Sequence, residues 1–213
     1  ALTDTADGQT VSFTQNTNAT TGMTVANAGS DNYNVSFTGG ANTIAGATTF
    51  NNGGTLTLGD GGDTINFTGG VVATAPSSKT VNGTVTAAGT GVINLGTTAV
   101  NVTGSSTIGG TSTGQITVGA ATLSDGVTLT LGAGAATPIS TGAISGTASG
   151  AVSNLTINTT GAVTVGGAVG TDMGTVTVTQ SGGTTFNGTV DAATIALTDT
   201  ADGQTVSFTQ NTN

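Results

Sequence analysis

Cysteine, histidine, tryptophan, arginine and glutamate are all missing from this 213-residue chain, and Lys79 is its one basic side chain. Without cysteine there is neither a disulfide framework nor a thiolate metal site. Without histidine or cysteine, acid–base and nucleophilic chemistry would fall to Asp, Thr and one Lys, which form no persuasive triad. We therefore expect no enzyme. The formal net charge of −9 has the wrong sign for nucleic acid or anionic lipid, so neither is an expected partner. No run approaches the eighteen or so uninterrupted apolar residues of a membrane helix, so no membrane insertion is expected of this segment. No basic start followed by an apolar stretch marks a signal peptide. In a segment cut from a longer chain that absence leaves secretion open, and the lack of cysteine suits a chain kept unfolded during export.

Charged residues make up 5 % of the chain, where average domains carry about a quarter. Aromatics are limited to six Phe and one Tyr. In their place stand 51 Thr and 37 Gly. Low charge and abundant Gly can signal disorder. Here, however, hydrophobic residues still supply 35 % of the chain and alternate with Thr, Ser and Asn. A disordered chain has no reason to keep that order.

Residues 1–18 read ALTDTADGQTVSFTQNTN, and residues 196–213 repeat the same letters 195 positions later. Self-similarity at a fixed period decides architecture before any local reading. The expectation is a tandem array in which residues 1–195 are one unit, residues 196–213 begin the next identical unit, and copies continue beyond both ends.

Alternating runs occur throughout, among them Val11-Ser12-Phe13, Val35-Ser36-Phe37, Leu56-Thr57-Leu58, Val100-Asn101-Val102, Ile116-Thr117-Val118 and Val176-Thr177-Val178. Apolar side chains at every second position share one face of a strand. Their polar partners are mostly Thr, whose branched side chain suits a pleated surface. Gly-rich turns such as Gly39-Gly40, Gly109-Gly110 and Gly182-Gly183 separate the runs, and Gly breaks every candidate helix. A sandwich core leans on bulky aromatics, which are scarce here, whereas Gly at nearly every corner suits a chain winding round a narrow core. The fold class expected is all-β: a single-chain parallel β-helix, or β-solenoid, with coils of roughly twenty residues and roughly ten coils per unit, each unit about 50 Å long. The Phe spacings predict a Phe-stacked stretch followed by one of Val, Leu and Ala, with Phe50 and Phe67 out of step. The last coil of one unit should template the first coil of the next.

The stretch Gly161-Ala-Val-Thr-Val-Gly-Gly-Ala-Val-Gly170, the following TVTVTQSGGTTFNGTV up to Val190, and ANTIAGATTFNNGGTLTLG over residues 41–59 resemble large bacterial exoproteins of the filamentous-haemagglutinin-like, β-strand-repeat type. Such proteins are exported by two-partner or autotransporter-type routes. The resemblance is one of composition and period. It implies a right-handed parallel β-helix and a surface adhesin or fibre role, and it carries over no functional residues.

Several residues invite a site reading. Leu58-Gly-Asp-Gly-Gly-Asp-Thr-Ile-Asn66 resembles one calcium-binding nonapeptide repeat at Gly59, Gly61, Asp63 and Ile65, with Leu58 where the first Gly belongs and with Asp60 and Asp63 as the possible Ca²⁺ ligands, but such sites form between stacked copies and no second copy follows. Read plainly, it is a Gly-Asp corner. Asp4, Asp7, Asp199 and Asp202 could suggest paired carboxylates, yet nothing near them would keep one acid protonated; an Asp-Gly turn is preferred. Sequons at Asn18, Asn34, Asn66, Asn82, Asn101, Asn154, Asn158 and Asn187 are glycosylation candidates, read first as the outward side of alternating strands. Thr-x-Thr pairs at Thr55/Thr57, Thr128/Thr130, Thr175/Thr177 and Thr177/Thr179 could bind ice only if they stacked in frame, and their gaps are irregular. The prolines, Pro76 and Pro138, should mark loops, with residues 75–79 the first candidate for a protruding one.

The expectation for function is a stiff extracellular or cell-surface fibre or stalk for attachment. Its expected partners are identical units end to end, other copies of the chain in a fibre, and a host or abiotic surface. The alternative is a segment of a self-assembling multi-chain filament. An ice-binding solenoid and a polysaccharide-acting β-helix enzyme rank below both.

Overall fold

The computed structural model describes residues 1–3, 6–27, 32–198 and 203–213, which form an all-β parallel solenoid with no helix among the described residues. Every paired strand runs parallel to its neighbours in the turns before and after it. A turn visits up to three faces. The first is a nine-stranded sheet reaching from Thr24–Val25 through Thr48–Phe50 and Ile116–Val118 to Val206–Phe208. The second carries Thr10–Phe13, Asn34–Phe37, Val100–Val102 and Ala121–Leu123. The third carries Ala41–Ile44, Ser106–Gly110, Thr128–Leu131 and Met173–Gln180. The last two faces belong to one fifteen-stranded sheet because Thr55–Phe67 and Ser78–Ala87 run unbroken round the corner between them.

Register sets the turn length. On the first face the shortest step runs from Val163 to its partner Thr184 and the longest from Val25 to Phe50. The mean is about 23 residues, the scale of a solenoid repeat. A 195-residue stretch therefore winds between eight and nine times, where shorter coils would have given ten. The added residues lie in the corners. One corner is lined by glycines from successive turns, where backbones approach too closely for a side chain. A Cβ on Gly46 would lie 2.5 Å from Thr21 O, one on Gly91 2.6 Å from Gly70 N, and one on Gly182 2.4 Å from Thr160 O. This explains where much of the chain's glycine goes.

Alternation within strands sends apolar side chains inward, as in the buried positions of Asn34–Phe37 and Ser153–Asn158. The inner files are mostly Val, Ile and Leu. Phe37, Phe50 and Phe67 come from three different faces and meet edge to face, with centroids 5.9 to 6.2 Å apart. Together they plug the lumen at one level. Phe13 stacks on Phe37 at 4.7 Å, and Phe186 on Phe208 at 5.0 Å. Phe50 and Phe67 broke the expected spacing because they belong to other faces than Phe13 and Phe37. Buried Asn42 ties a corner, donating to Gly39 O at 2.6 Å and accepting from Thr17 N at 3.1 Å.

Removing one ring of the trio leaves a cavity that the rigid ladders cannot close. Phe67→Ala is expected to cost about 3–5 kcal/mol, read as a lowered denaturation midpoint in the full chain.

Candidate functional site

Between Leu58 and Asp63 the outer wall swells. Leu58 pairs with Val81, but Asp63 pairs with Gly83, so one strand spends three more residues than its neighbour over the same distance. Gly59 starts the excursion at φ +88°, where a Cβ would lie 2.3 Å from Asn82 O, and Gly61 and Gly62 stand in open space. Asp60 is exposed at the tip, while Asp63 folds back to 5 % exposure. The Asp63 carboxylate accepts the Asp60 N–H at 2.7 Å. Hydrogen bonding to Asp63, helped by desolvation and like charge, holds the Asp60 carboxyl above the usual carboxylate range. The two acids expected as calcium ligands are thus adjacent, with one carboxylate already engaged by the backbone. Calcium takes six to eight oxygens, and no group of three or more potential metal-binding side chains gathers among the described residues.

Residues 75–79 do not protrude. The turn they belong to has ordinary length, with Leu56, Lys79 and Val100 in register. Thr74, Ala75 and Ser77 are exposed, but Pro76 is buried and Lys79 points into the lumen at 0 % exposure. The Lys79 ammonium donates to Pro76 O at 3.1 Å and to Thr98 Oγ1. It occupies an inward file between Leu56 and Val100, and that burial lowers its pKa below the ordinary lysine value of 10.5.

Asp4, Asp199 and Asp202 lie outside the described residues. Asp7 accepts the backbone N–H of Asn32 at 2.7 Å, linking one turn to the next. All eight sequon asparagines are on the outer side. Asn18 and Asn187 are exposed and the other six are half-buried. Several of the half-buried ones lash turns together: Asn34 Oδ1 accepts from Thr55 N at 2.8 Å, Asn154 Oδ1 from Thr175 N at 2.8 Å, and Asn158 Oδ1 from Gln180 Nε2 at 2.9 Å.

The outer wall also holds an order that the irregular gaps in the sequence concealed. Thr64, Thr84, Thr107, Thr130, Thr156 and Thr177 are partners in successive turns of the third face, forming one unbroken threonine file. The residues two before Thr84, Thr130 and Thr156 are Asn82, Thr128 and Asn154. Paired Thr-x-Thr therefore does not recur on consecutive turns. Uneven coil lengths are absorbed at corners and bulges, which is why the file stays aligned. Tracing it from sequence would have required knowing how many residues each corner consumes.

No protein-family model, curated protein or solved structure matches the chain. What the arrangement offers chemically is a hydroxyl- and amide-bearing wall, one acidic bulge and one buried ammonium.

Two outcomes follow from this geometry. A calcium titration into the millimolar range is expected to give no binding heat and no rise in melting temperature, since one acid of the pair is committed to the backbone. For Lys79, the unfolded chain holds its proton more tightly than the folded one, so stability climbs with pH from the lowered folded value up to 10.5. Lys79→Met should remove that climb and gain about 1 kcal/mol at neutral pH, checked by urea denaturation at pH 7 and above pH 10.

Proposed function

We propose that this chain is a length of stiff stalk in a large extracellular surface protein, serving attachment through its outer wall. The observation that carries the reading is the pairing of Val206–Phe208, part of the second copy of the repeated segment, onto Thr184, Thr185 and Phe186. This part of the second copy continues the same backbone ladder as the turns before it, which supports a continuous rod across the junction. A ladder of this kind resists bending, because each added turn shares its hydrogen bonds with the turn beneath.

The outward Thr, Ser and Asn positions supply hydroxyl and amide groups suited to polar contacts with a host or abiotic surface. The absence of cysteine and the resemblance to exported bacterial exoproteins favour an extracellular place. We assign no catalytic role: the chain has no His or Cys, Asp63 and Asp7 are engaged by backbone N–H groups, Asp125 accepts the Thr147 hydroxyl, and no group of three or more His, Cys, Asp or Glu gathers among the described residues.

Chains of one, two and four consecutive 195-residue units distinguish this reading by electron microscopy. Single rods whose length grows by about 40 Å per unit are expected from the strand spacing. Hinged beads would overturn the stalk, and multi-chain fibres of defined symmetry would transfer the role to a lateral filament.

A further inference from the structure

The two copies of the eighteen-residue segment lie on different faces. In the first copy Thr10–Phe13 belongs to the second face, with Val11 beside Val35 and Phe13 beside Phe37. In the second copy the same letters, Val206–Phe208, belong to the first face, with Val206 beside Thr184 and Phe208 beside Phe186. Flanking residues move in the same sense. Leu2 bridges Val25 on the first face, whereas its counterpart Leu197 pairs with Val178 on the third. Asn18 pairs with Thr43 on the third face, whereas Thr212, the counterpart of Thr17, bridges Val190 on the second. Along the second face, Val11 reaches Val190 through Val35, Leu56, Lys79, Val100, Ala121, Ile144 and Val169, which is eight steps. Residue 206 then lies two faces further on. One period thus spans eight turns and two of three faces.

We propose that successive 195-residue units dock with a rotation of one third of a turn about the solenoid axis. The second face of each unit then grows on the first face of the unit before it, and the original orientation returns only at the fourth unit. The partner of each end surface is another copy of the same sequence. This inference rests on the array reading above.

Side-chain chemistry at the seam fits the rotation. Phe208 stacks on Phe186 at 5.0 Å with planes 3° apart, and the identical Phe13 stacks on Phe37 at 4.7 Å with planes 9° apart. In an array one ring makes both contacts, so a three-ring ladder crosses the junction. The same superposition places Leu197 between Val178 below and a Val25 counterpart above, and Ser207 between Thr185 and a Ser36 counterpart. An unrotated seam would bring Val206 beside Val190 after only sixteen residues, well short of the mean turn of about 23, and would forfeit the Phe186 stack. Rotation also sets how the array is decorated. The Asp60 bulge would recur at a different corner in each unit, about 42 Å further along, with an axial period of about 125 Å.

The cysteine-free background makes the test clean. Thr185→Cys with Ser207→Cys joins outward neighbours on adjacent turns of the rotated seam, within disulfide reach at the strand spacing of about 4.8 Å. Asp191→Cys with Ser207→Cys reports the unrotated one. In the oxidised 213-residue chain only the first pair is expected to cross-link. Cross-linking of the second pair, or of neither in a chain that keeps its β-sheet circular dichroism, overturns the proposal. A second readout leaves the seam untouched: three joined units, each with Asp60→Cys carrying maleimide gold, viewed by electron microscopy. Labels staggered about the rod support the rotation, and labels in one straight row sink it even though rods form. Absence of rods would instead overturn the array reading.

Discussion

Everything in this molecule answers to one constraint: each turn must present its backbone N–H and C=O groups in register to the turn above. A parallel ladder satisfies both edges of every internal strand and leaves only the two ends open. Because the ladder fixes which residues stack, it also fixes the core as a set of vertical files. Each file must accept the same kind of side chain on adjacent levels, about 4.8 Å apart. Val, Ile and Leu meet that condition almost everywhere, and the Phe37, Phe50 and Phe67 trio meets it by taking one ring from each face.

Lys79 shows how strong the constraint is. It stands in an inward file between Leu56 and Val100, and the chain meets the cost of burying its ammonium with hydrogen bonds to Pro76 O and Thr98 Oγ1 rather than letting the strand flip. Flipping Ser78–Ala87 by one residue would turn Val81 and Val85 outward as well, since side chains alternate. The expense of one misplaced lysine is smaller than that of exposing a whole strand's apolar set.

The same logic separates what could be read in the sequence from what could not. Alternation and Gly-rich corners are local properties, so strands such as Asn34–Phe37 and Ile116–Val118, and the parallel solenoid built from them, were legible. Lys79 and Asp63 were legible in principle: each shares parity with an inward neighbour, Val81 and Ile65, and that parity was the signal overlooked. Turn length and the threonine file were not legible. They depend on how many residues the corners and bulges consume, as in the register shifts between Ser153–Asn158 and Met173–Gln180, and nothing in a single turn announces that number.

Corner length also bears on the proposed array of identical units. Identical repeats invite mispairing, because any copy presents the same edge as any other. A solenoid limits that hazard by growing from an edge already formed, each turn seeded by its predecessor. For that to work across a junction, the closing turn of one copy must offer side chains that the opening turn already matches. Phe186 meets the ring of Phe208 as Phe37 meets that of Phe13, and Val178 meets Leu197 as Val25 meets Leu2. Matching is thus chemical rather than positional: a Phe file can pass from one face's numbering to another's as long as aromatic meets aromatic. In the proposed array, a period that is not a whole number of turns would then cost nothing at the seam, and the three faces would be interchangeable supports for the next copy.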